Sequence, residues 1–85
     1  MDMLTKLKRF ITGKPEDSES SALELKKKGD VFLQEENYEA AVEQYRRVIF
    51  RLPKNSDALV NLGFALCEIG DFDEAMQHLE VALSI

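Results

Sequence analysis

Residues 59–75, LVNLGFALCEIGDFDEA, decide the fold, because residues 25–41, LKKKGDVFLQEENYEAA, carry the same pattern 34 positions earlier. At that offset Leu25 pairs with Leu59, Gly29 with Gly63, Phe32 with Leu66, Tyr38 with Phe72 and Ala41 with Ala75. The register holds beyond the quoted stretch, where Tyr45 pairs with Leu79, Val48 with Ala82 and Ile49 with Leu83. The polar turn residue recurs as Asn37 and Asp71. Self-similarity at a fixed period of this length marks stacked supersecondary units.

The spacing of apolar residues makes each unit a pair of helices. One helical run begins at Ala22 behind Ser21-x-x-Glu24, a capping-box pattern in which hydroxyl and carboxylate each satisfy an orphan backbone N–H. A second runs from Tyr38 to about Arg51, behind Asn37. Pro53-Lys54-Asn55-Ser56 breaks the chain, a third run reaches about Ile69, and Asp71-x-x-Glu74 opens a fourth after Gly70. No run shows strand alternation. A glycine inside a helix costs about 1 kcal/mol against alanine. Two mid-helix glycines at equivalent places, Gly29 and Gly63, therefore imply close approach of a neighbouring helix. Ala41 and Ala75 supply the small contact opposite. The short polar breaks make neighbouring helices antiparallel. The expected architecture is all-α, a stack of antiparallel helix-turn-helix repeats.

These residues resemble the tetratricopeptide repeat family, an α-solenoid. The first repeat, 22–55, supplies Leu25, Gly29, Phe32, Ala41, Tyr45 and Pro53, and the second, 56–85, supplies Leu59, Leu62-Gly63, Leu66, Ala75 and Leu79. Gly70-Asp71-Phe72-Asp73-Glu74-Ala75 resembles the family's inter-helix turn, and Lys28 departs from it where leucine precedes the glycine. The resemblance implies a concave groove lined by the first helix of each repeat. On this sequence that face offers Lys26, Lys27, Asp30, Leu33 and Gln34, then Val60, Asn61, Phe64, Cys67 and Glu68. Such a groove takes an extended peptide or a helix of a partner protein, with a few apolar anchors giving affinity and charge setting register. Some members clamp a peptide's C-terminal carboxylate with Lys and Asn side chains. Lys26 and Asn61 match two clamp positions, but Asp30 stands where a further Asn is expected and would repel a carboxylate.

The resemblance does not extend to residues 1–21. Residues 1–14 read as a basic amphipathic helix with Met3, Leu4, Leu7, Phe10 and Ile11 on one face. They carry Lys6, Lys8, Arg9 and Lys14 against Asp2. Residues 15–21 have no apolar side chain and read as a polar linker. Residues 56–85 hold six acids and no Lys or Arg. The second repeat stops about four residues short of the period, leaving an apolar end to be covered. Self-association is the expected cover, with Leu4, Leu7, Phe10 and Ile11 meeting Met76, Leu79 and Leu83. The basic first segment suits the acidic second repeat. The alternatives are a membrane-surface anchor formed by residues 1–14, or a non-catalytic part of a larger multi-repeat protein.

Composition narrows the function classes. With 45% hydrophobic and 32% charged residues the 85-residue chain is that of a small globular domain. A net charge of −5 argues against a nucleic-acid footprint. The single cysteine, Cys67, permits no internal disulfide and reads as a small apolar residue. No apolar run approaches the roughly 20 residues that span a bilayer, and a cytoplasmic setting is expected. His78 and Cys67 make no metal-ligand set and imply no cofactor. Asp71, Asp73 and Glu74 read as carboxylates favouring a helix N-terminus rather than as paired catalytic acids. No nucleophile, base and stabiliser assemble, so the expectation is a protein-interaction scaffold and not an enzyme.

Overall fold

Two turns set the path of the chain. In the computed structural model, which describes residues 19–85, Glu36 (φ 60°) and Gly70 (φ 87°) occupy the left-handed region 34 positions apart. At the first turn Asn37 N–H donates to Phe32 C=O at 2.8 Å and Glu36 N–H to Leu33 C=O at 3.1 Å. At the second, Asp71 N–H donates to Leu66 C=O at 2.8 Å and Gly70 N–H to Cys67 C=O at 3.1 Å. Both are Schellman closures, which reverse the chain while satisfying the last helical carbonyls.

The helices so joined are α1 (Glu19–Gln34), α2 (Tyr38–Arg51), α3 (Ser56–Glu68) and α4 (Phe72–Ser84). Each packs on the next in order. The all-α repeat architecture is as the 34-residue register implies. Asn37 caps α2 by accepting from Ala40 N–H at 3.4 Å, and Asn55 caps α3 by accepting from Ala58 N–H at 3.0 Å. Two details differ from the sequence reading. The described part of the first helix already includes Glu19 and Ser20, so Ser21 lies within α1 rather than ahead of it. Asp71 precedes α4 without a side-chain cap bond, and the Glu74 carboxylate that would complete the box pairs with Arg46 and His78, while Asp71 N–H donates to Leu66 C=O. The amphipathic segment expected over 1–14, with Leu4, Leu7, Phe10 and Ile11, lies outside the described residues.

The core forms where α2 and α3 meet. Ala41, Val42, Tyr45 and Val48 of α2 are buried against Ala58, Leu62, Ala65 and Leu66 of α3, with Ala75 closing from α4. Leu25, Phe32, Leu33, Tyr38, Ile49 and Cys67 pack around this cluster, partly buried. The two glycines mark where helices touch. A Cβ on Gly29 would lie 2.8 Å from Tyr45 Cε1, and one on Gly63 would lie 2.6 Å from Leu79 Cγ. Each glycine thus makes room for the large residue of its own hairpin, as the repeat pattern requires.

Candidate protein-binding site

A side-chain bond links α1 to α3, and Asp30 is the point where three helices are tied. Its carboxylate accepts from the buried Tyr45 hydroxyl of α2, from Lys26 Nζ at 3.1 Å within α1, and from Asn61 Nδ2 of α3 at 3.4 Å. Burial first, then the hydrogen bond and charge of Asp30, push the Tyr45 phenol far above its ordinary pKa. The two residues that matched a carboxylate clamp, Lys26 and Asn61, both donate to Asp30. An incoming anion would compete with a built-in one.

The rest of the α1/α3 face is apolar and aromatic at its middle. Val60 (47% exposed) and Phe64 (42%) stand one helical turn apart on α3. The Phe64 ring stacks against Tyr38 from the start of α2, with centroids 6.1 Å apart and planes at 23°. Partial desolvation, then the negative charges of Glu36 and Glu68, raise the Tyr38 phenol above its usual value. Two carboxylates therefore flank an accessible aromatic pair. A cationic side chain is attracted both by those charges and by the ring faces.

The residues expected on this face divide into three groups. Lys26, Asp30 and Asn61 are joined in one network. Lys27, Gln34, Val60, Phe64 and Glu68 are exposed. Leu33 and Cys67 are partly buried against the core, so they support the face more than they line it. Tyr38 belongs to the site and was not among the sequence candidates. Its partner Phe64 is 26 positions away, and no local pattern signals that contact. Nor does any local pattern signal Arg46, which binds Glu74 through Nη2 to Oε1 at 2.6 Å and Nε to Oε2 at 3.2 Å. That pair joins α2 to α4 across the repeat boundary. Partial burial alone would raise the Glu74 carboxyl, but hydrogen bonds from Arg46 and His78 outweigh it and hold the group below its usual value. His78 sits beside Glu74 on α4, with Nε2 3.3 Å from Oε2.

A second apolar surface lies at the far end of the stack. Cys67 of α3 and Phe72, Ala75, Met76, Leu79, Glu80 and Leu83 of α4 line a groove of about 350 Å³. Met76 is 60% exposed and Leu83 87%. A third depression, about 440 Å³, follows the α2–α3 connection from Arg51 to Asn55.

Among the described residues no group of His, Cys, Asp or Glu is arranged to hold a metal ion, and no helix is long and apolar enough to cross a membrane. Comparison with known proteins agrees with the geometry in one respect. A family model described as tetratricopeptide repeat matches residues 26–85, well over half of the chain. Searches of curated proteins and of solved structures found no match. With paired helices, recurring left-handed turns and glycines seated on the facing helix in both units, the chain belongs to the tetratricopeptide repeat family.

Proposed function

We propose that the module binds a peptide or helix of another protein across the α1/α3 face, and that its preferred ligand joins apolar residues to a basic one. Repeats of this family generally mediate protein–protein interaction and are typically non-catalytic. The reading is carried by the accessible Tyr38–Phe64 pair flanked by Glu36 and Glu68, with Val60 one turn away. Accessible aromatic and apolar anchors contribute most of the affinity in such contacts, and surrounding charge sets orientation and rate. The Asp30 network fixes α1, α2 and α3 relative to one another, so the face is held in one geometry before a ligand arrives.

The experiment is selection of ligands from a random peptide library on the immobilised full chain. The expected winners carry Lys or Arg next to apolar residues, and Phe64→Ala weakens them at least tenfold, about 1.4 kcal/mol. Phe64 is half exposed, so the variant keeps its helical circular dichroism. Winners that bind Phe64→Ala and the parent chain equally would place the contact elsewhere.

Self-association is the second property proposed for this module. It is favoured by the groove on α4, whose lining is apolar apart from Glu80.

A further inference from the structure

We infer that the groove on α4 is filled by residues 3–11 of a second copy of this chain, exchanged reciprocally between two copies. The inference rests on the self-association reading and names the segment that performs it.

The first repeat shows what this face needs. Tyr38, Val42, Tyr45 and Ile49 of α2, with Leu33 of α1, form the surface against which α3 packs, and all five are buried or partly buried. Their counterparts 34 positions on are Phe72, Met76, Leu79, Leu83 and Cys67, which are the lining of the open groove. Of these, Phe72, Met76 and Leu83 are exposed, while Leu79 and Cys67 are only partly buried. The cover is therefore expected to have the chemistry of α3.

Residues 3–11 have the apolar spacing of α3. The buried apolar set of α3 is Ala58, Leu59, Leu62, Ala65 and Leu66. Met3, Leu4, Leu7, Phe10 and Ile11 reproduce those intervals at an offset of 55. Gly63, which in α3 admits Leu79 of the following helix, corresponds to Lys8. A last helix in a stack has no following helix to admit, so a charged residue suits that position. Charge agrees as well. At the inner junction Arg46 meets Glu74 of the next repeat. Glu80, the residue equivalent to Arg46, borders the open groove, so a cover that brings cations is favoured there. Residues 3–11 bring Lys6, Lys8 and Arg9 and no acid.

Reach favours a second copy over the same chain. Seven residues separate Ile11 from Glu19. Seven residues of random coil span roughly 15 Å root-mean-square. Two helix layers put roughly 20 Å between the start of α1 and the far side of α3 and α4. Exchange between copies removes that constraint, and a two-fold pair covers both open faces at once.

Sedimentation velocity of the full chain, with two double variants, tests this. Leu4→Glu with Leu7→Glu spoils the segment, and Met76→Glu with Leu83→Glu spoils the groove at exposed positions that leave the core intact. The parent chain should sediment as a dimer of 9.7 kDa units, and each double variant as a monomer. Mixing the two variants should restore a dimer, because one retains the groove and the other the segment. A parent chain that is a monomer overturns both the exchange and the self-association reading. A dimer that survives Leu4→Glu with Leu7→Glu keeps self-association but overturns the exchange, since the α4 faces would then pair directly. Failure of the mixed variants to associate also overturns it. Enrichment of the parent monomer on anionic vesicles, lost with Leu4→Glu and Leu7→Glu, would assign the segment to a membrane surface instead.

Discussion

Val42 and Tyr45 of the first repeat are sealed beneath α3, whereas Met76 and Leu79, their counterparts in the second, border an open groove. The backbone plan is the same in both units, down to a left-handed residue at the same place in each turn. What differs is cover. In the first repeat, the large residue over the glycine is a tyrosine locked from outside by Asp30. In the second it is a leucine with space beside it. The repeat pattern therefore specifies how a hairpin closes, and the neighbour decides how much that closure is worth.

Truncating the large residue of each hairpin should break the equivalence most visibly. Tyr45→Ala removes a wholly buried ring and is expected to cost about 3–5 kcal/mol, as large aromatic deletions in cores do. Leu79→Ala, at a half-buried site on the open side, should cost about 1–2 kcal/mol, below the full range for a buried leucine. Urea unfolding of both variants in the Leu4→Glu, Leu7→Glu background measures this without the dimer. Equal losses would show that the second hairpin is as well covered as the first.

The glycines give a finer contrast. Alanine gains about 1 kcal/mol of helix propensity at either position, while overpacking costs about 1–3 kcal/mol where the neighbour cannot yield. The Tyr45 ring cannot yield, being buried and hydrogen-bonded to Asp30, so Gly29→Ala should be destabilising by about 1 kcal/mol net. Leu79 can swing into the groove, so Gly63→Ala should change stability by less than about 0.5 kcal/mol. The same urea titrations read both.

A single hydroxyl sets a contrast in pH dependence. Tyr45→Phe removes the bond to Asp30 and should cost about 1.5 kcal/mol, in the range for hydrogen bonds to charged groups. It should also change the pH dependence. The folded-state pKa of Tyr45 lies above its unfolded value, so the unfolded chain loses its proton first as pH rises. The parent chain should therefore keep this contribution below about pH 10 and lose it progressively above, and Tyr45→Phe should lack that decline. Stability profiles of the two proteins that run parallel through pH 9–11 would contradict the assigned environment.

Much of the fold was legible in the sequence because the repeat tests itself. Eight apolar or small positions agree at one offset, and the glycine pair signals close contact before any contact is seen. The start of α1 was less legible, because Ser21-x-x-Glu24 offers a good local cap while Ser21 already lies within the helix. Local capping patterns state where a helix can start and not where it does. The binding face was legible in outline only. Val60, Phe64 and Glu68 are exposed on α3, but Leu33 and Cys67 turn partly into the core. The Tyr38–Phe64 stack and the Asp30 hub join residues from different helices, and their meeting depends on how successive hairpins rotate against one another. One period of spacing carries no record of that rotation.

The central claim is that the second repeat is completed by a segment from another copy. Residue-resolved amide hydrogen exchange of α2 and α4, in the parent chain and in Leu4→Glu with Leu7→Glu, tests it most directly. The account predicts that α4 amides lose protection in the variant by at least tenfold while α2 amides change little. Protection of α4 that is the same in both proteins would contradict it.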